Sequence, residues 1–219
     1  MSKRQIPQIS SRKAPKQARS TELVSAILEA AIQVLAQEGA QRFTTARVAE
    51  RAGVSVGSVY QYFPNKASIL FRLQSDEWQQ TTDMLRKILE GSQKPPLERL
   101  RMLVHAFIGS ECEEASMRVA LNDAAPLYRD APEAQAARAA GDKIFQDFIL
   151  LVLPDAPKRS RALACDLITT TLTSAGKDFS ESARTPSEIK AFADAMADMF
   201  CAYLERQAGV SGGAGLSPV

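Results

Sequence analysis

Histidine and cysteine, two side chains that often serve in catalysis and metal binding, are sparse in this sequence of 219 residues. Its one histidine, His105, excludes a metal site built from several histidines and would have to serve alone in any Ser-His-Asp triad. Cys112, Cys165 and Cys201 lie far apart without CxxC spacing, which argues against a zinc site or a disulfide framework. No GK[ST] phosphate-binding motif is present. We therefore predict that the protein is not an enzyme and needs no metal and no cofactor.

A different chemistry is concentrated in residues 43–66, FTTARVAERAGVSVGSVYQYFPNK. Thr44 and Thr45 can cap a short helix, and Ser55 can cap a second one. Between them, Gly53 permits the positive φ of a sharp turn. The positions that would face inward are apolar: Val48, Ala49, Ala52, Val54, Val59 and Phe63. This order predicts a helix-turn-helix.

The outward face of the second short helix carries no acidic side chain. Its members are Val56, Gly57, Ser58, Tyr60, Gln61 and Tyr62. Phosphate would repel an acidic face, whereas this face is neutral with hydrogen-bonding tips, and Gly57 allows a close backbone approach. We interpret it as a surface that reads nucleic acid. The alternative is an ordinary exposed face whose aromatic rings cover a neighbouring element.

The distribution of charge supports a polyanion as the partner. Residues 1–72 hold 11 basic and 4 acidic side chains, a net charge of +7, although the whole chain carries only +2. A basic arm, residues 1–20, could follow phosphates or enter a minor groove, or could equally be a solubilising tail. Its basic side chains are Lys3, Arg4, Arg12, Lys13, Lys16 and Arg19.

The elements that position this segment are predicted to be helices only. Prolines delimit long segments with helical periodicity, and no stretch alternates apolar and polar residues long enough for a strand. Capping patterns at Asn65, Asp130 and Thr185 mark helix starts. The predicted helices cover residues 21–37, 45–52, 56–62, 66–90, 97–113, 116–124, 132–153, 158–179 and 187–207.

Nothing in the sequence predicts a membrane protein. The longest strongly apolar stretch, residues 148–153, is far shorter than the roughly 20 residues that cross a bilayer. The basic N-terminus lacks the apolar segment of a secretory signal. Together with the cysteine pattern, these features predict a cytoplasmic protein.

Residues 21–70 resemble the tetracycline-repressor (TetR) family of transcriptional regulators. The resemblance rests on Glu38-Gly39, Phe43-Thr44-Thr45, Val48-Ala49, Ala52-Gly53-Val54-Ser55, Gly57, Val59-Tyr60, Tyr62-Phe63 and Lys66. It implies a flexible arm at 1–20, a helix-turn-helix DNA-binding domain at 21–66, a helical effector-binding and dimerisation domain at 67–208, and a flexible tail at 209–219. The implied fold is all-α, with about nine helices.

The resemblance also implies roles for individual residues. The phosphate contacts would be Thr44, Thr45, Ser55, Tyr60, Tyr62 and Lys66. The residues left to face base edges would be Val56, Gly57, Ser58 and Gln61. Glutamine can pair with adenine, and valine can contact a thymine methyl group. The family often has lysine or proline where this chain has Val56, which leaves the operator sequence open.

Two further sets are predicted in the helical body. A dimer interface would use the wide apolar face of the last two helices, although core packing within one chain is the alternative. The candidates for the dimer interface are Leu163, Leu167, Leu172, Ala175, Ile189, Phe192, Met196, Phe200 and Tyr203.

An effector pocket would take an apolar or aromatic molecule. Its candidates, many of which would be plain core, are Trp78, Met102, His105, Phe107, Met117, Leu121, Asn122, Tyr128, Phe145, Phe148 and Thr170.

These expectations combine into one functional hypothesis. The protein is predicted to be a homodimeric DNA-binding regulator, a repressor that a small molecule releases from a palindromic operator. Two alternatives stay open at this point: a regulator without a small-molecule effector, and an activator. An enzyme is a remote third.

Overall fold

The structure, a computed structural model, describes residues 9, 18–91, 93–128 and 131–212. Every regular element in these ranges is helical, which confirms the predicted all-α class. A short 3-10 turn at Ala125–Leu127 follows the sixth helix. The helices are α1 (Ala18–Arg42), α2 (Thr45–Arg51), α3 (Val56–Tyr62), α4 (Lys66–Leu89), α5 (Pro96–Glu113), α6 (Ala115–Ala124), α7 (Pro132–Val152), α8 (Lys158–Ser180) and α9 (Pro186–Gly212).

Local capping accounts for the agreement between predicted and observed helix starts. The Ser68 amide donates to Asn65 Oδ1 over 2.9 Å at the start of α4. At α9, the Thr185 amide donates to Glu188 Oε2 over 2.8 Å, and the Glu188 amide donates back to Thr185 Oγ1 over 3.3 Å, forming the predicted capping box. The predicted cap at Asp130 lies outside the described residues.

The two ends of the helical region differ from prediction. Helix α1 begins at Ala18 rather than 21, and α9 continues to Gly212 rather than ending at 207. Ile9, inside the predicted loose arm, is buried in a hydrophobic cluster. The arm's basic residues 3, 4, 12, 13 and 16 and tail residues 213–219 lie outside the described residues, as does the side chain of Arg19.

The chain divides into two compact units, each assembled from two separate stretches. Unit 1 comprises residues 1–79 and 116–138. In it, α2 packs against both α1 and α3. Its core contains large, fully buried side chains from α1, from the segment before α2, from the end of the helix-turn-helix and from α4, among them Ile27, Phe43, Phe63 and Leu70. This core holds the short helices α2 and α3 in place.

Unit 2 comprises residues 80–115 and 139–219. Helix α5 packs against α8 and α9, and α8 packs against α9. Two surface contacts join α5 to α9: an ion pair in which Arg101 Nη1 lies 2.5 Å from Asp198 Oδ1, and a contact in which His105 Nε2 lies 2.9 Å from Asp194 Oδ1. The core of unit 2 is therefore organised around α5.

Helix α1 is long and apolar enough to cross a membrane, judged by length and composition alone. Within unit 1, however, its apolar stripe is covered by neighbouring elements. The buried members of that stripe are Val24, Ile27, Ala30, Ala31, Val34 and Leu35. The periodic burial is that of a core helix packed along one face.

Candidate nucleic-acid interface

Helix α2 is fixed at its start by a side-chain cap. The Arg47 amide donates to Thr44 Oγ1 over 3.3 Å, as expected for an N-cap threonine. The Arg47 guanidinium forms an ion pair with Glu38 and donates to the Arg42 carbonyl over 3.2 Å. These bonds attach α2 to the end of α1, so the hydroxyls at the start of α2 occupy a defined position.

The turn between α2 and α3 has the predicted conformation. Gly53 has φ 67°, in the left-handed region where an L side chain is strained. The Val54 amide then donates to the Ala49 carbonyl over 3.0 Å, and Val54 packs against the unit 1 core. The inward positions Val48 and Val59 are fully buried, as predicted.

Helix α3 is capped by Ser55, whose Oγ accepts from the Ser58 amide over 3.0 Å. The same Oγ lies 2.8 Å from Ser58 Oγ, so both hydroxyls are partly engaged in the cap. Val56, Gly57 and Gln61 are exposed on the outward face. These three residues are positioned as the predicted base-facing set requires, whereas Ser58 is half-buried.

Two predicted phosphate contacts meet at the surface between α2 and α3. Thr45 Oγ1 lies 3.1 Å from the Tyr60 hydroxyl, and the tyrosine is 39% exposed. One hydroxyl of the pair can donate to the other while the second directs its proton outward. The pair therefore presents a hydrogen-bond donor at a fixed place on a neutral face.

Tyr62 corrects one part of the prediction. Only 6% of it is exposed, and it belongs to the unit 1 core together with Val59 and Phe63. Its placement on the outward face is wrong, because the apolar side of α3 is wide enough to include it. A phosphate contact by its hydroxyl stays a prediction.

Lys66 begins α4, directly after the Asn65 cap. It is half-buried, and fully buried Ser68 donates to the Asn65 carbonyl over 2.7 Å beneath it. The first turn of α4 contains no acidic residue. The ammonium therefore stands beside a positive helix end, an arrangement that favours an anion.

The predicted dimer residues separate into two groups. Leu163 and Leu167 on α8 are 61% and 46% exposed. The prediction is wrong for Leu172, Met196 and Phe200, which are buried in the unit 2 core, because α9 uses its apolar face to cover α5 and α8. The remaining candidates are half-buried against that core: Ala175, Ile189, Phe192 and Tyr203. Phe192 also stacks on Phe179, with ring centroids 4.0 Å apart.

The predicted effector residues are divided between the two units, and each group is described within its own unit. In unit 2, Phe107, Phe145 and Phe148 are core residues, and His105 is paired with Asp194. Thr170 in unit 2 and Asn122 in unit 1 are exposed. Phe107, Phe145 and Phe148 are thus buried core residues, as was expected for many of the candidates, and contact of any of them with an effector stays a prediction.

The unit 1 candidates are also largely packing residues. Leu121 and Tyr128 are buried, Met117 packs against the same core, and Trp78 is half-buried. The Tyr128 hydroxyl lies 3.0 Å from the Leu121 carbonyl oxygen and 3.2 Å from Gln74 Oε1. Its polar tip is thus used inside the unit, where it ties the 3-10 turn to α6 and α4.

One candidate, Met102, does line a groove. The groove has a volume of about 550 Å³, lies between the end of α4 and the start of α5, and contains a residue that sequence reasoning missed, Arg99. A signal was present, because Arg99 occupies the apolar side of α5 next to Leu100 and one turn before Leu103. A charged residue at such a position is unusual.

Comparison with known proteins identifies the two parts of the chain separately. A family model described as bacterial regulatory proteins, tetR family, matches residues 27–73. A second, described as the tetracyclin repressor-like C-terminal domain, matches residues 95–207, just over half of the chain.

Individual relatives are more distant. The nucleoid occlusion factor SlmA of Vibrio campbellii is 37% identical over 83 residues, which are 37% of this chain and 42% of SlmA. SlmA of Alteromonas mediterranea is 30% identical over 113 residues, 51% of this chain and 57% of that protein. The chain thus matches about half the length of these curated relatives.

Solved structures extend the likeness to most of the fold. The fatty acid degradation regulator FadR of Bacillus halodurans has a TM-score of 0.66 at 17% identity, covering 85% of this chain and 96% of FadR. FadR of Bacillus subtilis, solved in complex with stearoyl-CoA, has a TM-score of 0.65 at 16% identity, covering 81% and 97%. At this identity the likeness concerns the fold alone. The two family models and the capped helix-turn-helix establish that the chain belongs to the TetR family of DNA-binding transcriptional regulators.

Proposed function

We propose that the protein is a homodimeric repressor that reads a palindromic operator with α3 and leaves it when a small molecule binds the helical body. The observation that carries the DNA-reading part is the exposed, acid-free face of α3, with the Thr45–Tyr60 hydroxyl pair at its side. The proposed site of action is the cytoplasm, where the operator would be accessible.

The proposed phosphate contacts position α3 without reading sequence. The Thr45–Tyr60 pair and Lys66 offer a hydroxyl donor and an ammonium. Thr44 and Ser55 already accept backbone hydrogen bonds as caps, and their hydroxyl protons can still be donated to phosphate oxygens. Contacts of this kind set register and orientation on the duplex.

Sequence reading is assigned to the exposed tips of α3. Gln61 can pair with an adenine edge, and Val56 can contact a thymine methyl group. Gly57 allows the helix to approach the groove floor, and Ser58 is available only in part. In a dimer, two copies of α3 would enter successive major grooves, about 34–36 Å apart.

The DNA part is tested with operator fragments captured from genomic DNA by the purified protein and then used in gel shifts. Tyr60→Ala and Lys66→Ala should abolish binding while the dimer persists on a sizing column. Gln61→Ala should instead relax the preference at one base pair of each half-site, at a cost of about 1–3 kcal/mol.

The matched control is Ile32→Ala. Ile32 is 38% exposed, close to the 39% of Tyr60, but lies on α1 rather than on α3. It should bind as wild type does. Undiminished binding by both Tyr60→Ala and Lys66→Ala would overturn the assignment of α3 as the reading helix.

The effector part rests on a different observation, the groove between α4 and α5. A ligand that binds more tightly to a conformer with altered spacing of the DNA-binding heads lowers DNA affinity by linkage, typically by about 1–3 kcal/mol. That FadR of Bacillus subtilis was solved with stearoyl-CoA shows that this fold can hold a ligand. DNA affinity that no ligand of the groove changes would favour a regulator without an effector.

Repression itself is tested in cells. A reporter gene placed behind the captured operator should be more active when this protein is deleted. Lower reporter activity on deletion would identify an activator and contradict the repressor proposal.

A further inference from the structure

The groove of unit 2 has a lining of two chemical kinds. Its apolar side is formed by Met84, Ile88 and Met102, with Met102 42% exposed. The other side carries three cations, Lys87, Lys94 and Arg99, and the described lining contains no carboxylate. The remaining lining residues are Gly91 and Gln93. A flexible apolar wall beside a cationic wall suits a molecule with an apolar body and an anionic head.

Arg99 distinguishes this groove from an ordinary surface depression, because its side chain is both charged and buried. It is only 7% exposed, yet within the described part of the chain it forms no ion pair with a carboxylate. Its Nη1 donates to the carbonyl of Leu89, the last residue of α4, and its Nε has no hydrogen-bond partner among the described residues. The guanidinium carbon lies 5.8 Å from the Phe148 ring centroid.

Among the described residues, no carboxylate serves as the counterion of this buried guanidinium. Guanidinium groups stay protonated in proteins, so burial cannot be relieved by losing the proton. The Leu89 carbonyl and the Phe148 ring supply partial negative charge but no full anion. Buried charges are normally paired because desolvation is costly. The missing partner is therefore an anion, and the groove beside Arg99 is the place where it can enter.

The two other cations differ in their availability. Lys94 forms an ion pair with Glu98, one turn along the chain, and is therefore partly neutralised. Lys87 is exposed on the last turns of α4 and lines the groove. An anionic head near Arg99 would thus have Lys87 as its second cationic neighbour.

We infer that this groove binds an amphipathic anion, whose carboxylate or phosphate head pairs with Arg99 and Lys87 while an aliphatic body packs on Met84, Ile88 and Met102. The volume of about 550 Å³ falls within the range of small-molecule sites. Methionine side chains adapt to aliphatic ligands of different length. The inference deepens the proposed function, on which its regulatory meaning rests, and adds an anionic head to the apolar effector expected from sequence.

The test measures binding to the full-length protein without DNA, by calorimetry with three probes: decanoate, decyl phosphate and 1-decanol. The acid and the phosphate should bind, and the alcohol should bind at least about tenfold more weakly, because it lacks the charge-assisted hydrogen bonds. The ratio of decanoate to decyl phosphate affinity identifies the head group. Equal affinity for decanoate and 1-decanol, or no binding of either anion, would overturn the inference.

Variants locate the site. Arg99→Met should abolish the preference for the anion, but it also removes the bond to the Leu89 carbonyl and can unfold the helix junction. Met102→Glu avoids that difficulty, since the Met102 side chain is already exposed. The new carboxylate should weaken the binding of decanoate at least about tenfold, because it repels the anionic head. The control is Val119→Glu, with the same 42% exposure on α6 and no place in the groove. Unchanged decanoate affinity in Met102→Glu would contradict the inference.

The gel shift separates this inference from the proposed function. In the first outcome, decanoate binds the wild-type protein and weakens its DNA complex but leaves the DNA complex of Met102→Glu unchanged. This outcome supports both the groove as the binding site and the release of DNA by an effector. Decanoate that binds without changing the DNA complex supports the groove and contradicts effector release. A protein that binds DNA but none of the anions contradicts the groove alone.

Discussion

At the scale of single residues, hydroxyl side chains cap the starts of three helices. Thr44, Ser55 and Thr185 each accept a backbone hydrogen bond at a helix start. The Thr45 hydroxyl does not act as a helix cap; its Oγ1 lies 3.1 Å from the Tyr60 hydroxyl. The same chemical group thus serves folding at three positions and a candidate phosphate contact at another, and the difference lies in whether a helix amide is within reach.

The capping box of α9 predicts a pH dependence of stability. The Thr185 amide and hydroxyl, each 2.8 Å from Glu188 Oε2, lower the pKa of Glu188 below its ordinary value of 4.5. Since the folded-state pKa is the lower one, the contribution is fully present above about pH 4.5 and is lost as the pH falls through the folded-state pKa. Glu188→Gln should therefore be less stable than wild type at neutral pH, and the difference should shrink in acid.

Urea unfolding followed by circular dichroism between about pH 3 and 7 measures this difference. Thr185→Ala is the companion variant, because it removes the hydroxyl but keeps the amide and should show a smaller acid-dependent loss. Parallel stability curves for wild type and Glu188→Gln across this range would contradict the assignment.

At the scale of elements, α5 is the helix around which unit 2 is built. Its apolar face is covered by α8 and α9, and its first turns form one wall of the groove. The two helices α5 and α8 lie close together at Gly176, where an added Cβ would be 3.2 Å from both Ile108 Cδ1 and Phe107 Cε1. By contrast, a Cβ at Gly109 on α5 would meet no atom within 4 Å.

These two glycines predict opposite effects of a larger side chain. Gly176→Val should destabilise the protein by about 1–3 kcal/mol, because the added methyl groups overpack the contact between α5 and α8. Gly109→Ala should stabilise it by up to about 1 kcal/mol, since alanine favours the helix and has room. Urea unfolding of both variants measures the changes, and a Gly176→Val protein as stable as wild type would contradict the packing argument.

At the scale of the whole molecule, the positive charge and the reading face are distinct features. The surplus of +7 belongs to residues 1–72, while the outward face of α3 is itself uncharged. Under the proposed function, basic side chains of residues 1–72 would supply attraction to the phosphate backbone, and the neutral face of α3 would supply discrimination between base sequences. The remaining residues carry a net charge of −5, so the body would be repelled by DNA and would leave contact to the helix-turn-helix.

Dimerisation is the prediction that belongs to this scale. Leu163 and Leu167 are one turn apart on α8 and strongly exposed. An exposed apolar patch of this kind is expected where a second copy of the chain binds. The double substitution Leu163→Glu and Leu167→Glu should raise the dimer dissociation constant at least about 100-fold, because each carboxylate would be buried without a partner. Operator binding should weaken in parallel, since paired half-sites need both heads.

Analytical ultracentrifugation measures the dissociation constant directly. Val119→Glu is the matched control for an added carboxylate at an exposed apolar position, and it should remain dimeric. A double variant that is still dimeric at the wild-type concentration would place the interface elsewhere.

Most helix bounds could be predicted because the signals that define them are local. The Thr185–Glu188 box, the Asn65 cap and the prolines at or just before the starts of the long helices act over three or four residues. They therefore operate wherever the segment lies. The turn at Gly53 is equally local, since only its backbone needs the left-handed conformation. The helix-turn-helix and the resemblance to the family could therefore be predicted from the sequence.

The burial of a side chain depends on which other element covers it. Patterns among residues close in the sequence do not identify that element. Tyr62 and Gln61 are adjacent and both polar at the tip, yet one is buried and the other exposed. Phe200 and Leu163 both belong to apolar faces, but only Leu163 is left outside after α5, α8 and α9 have packed. Periodicity identifies an apolar face without identifying its partner.

The helices, their caps, the helix-turn-helix and the family resemblance could be predicted from the amino-acid sequence, because these follow from interactions between residues close in the chain. Which apolar residues stay exposed depends on the folded chain, as does the burial of Arg99 beside a groove whose described lining contains no carboxylate. The physical reason is the same in both cases: exposure and electrostatic environment are set by segments that approach only when the chain folds.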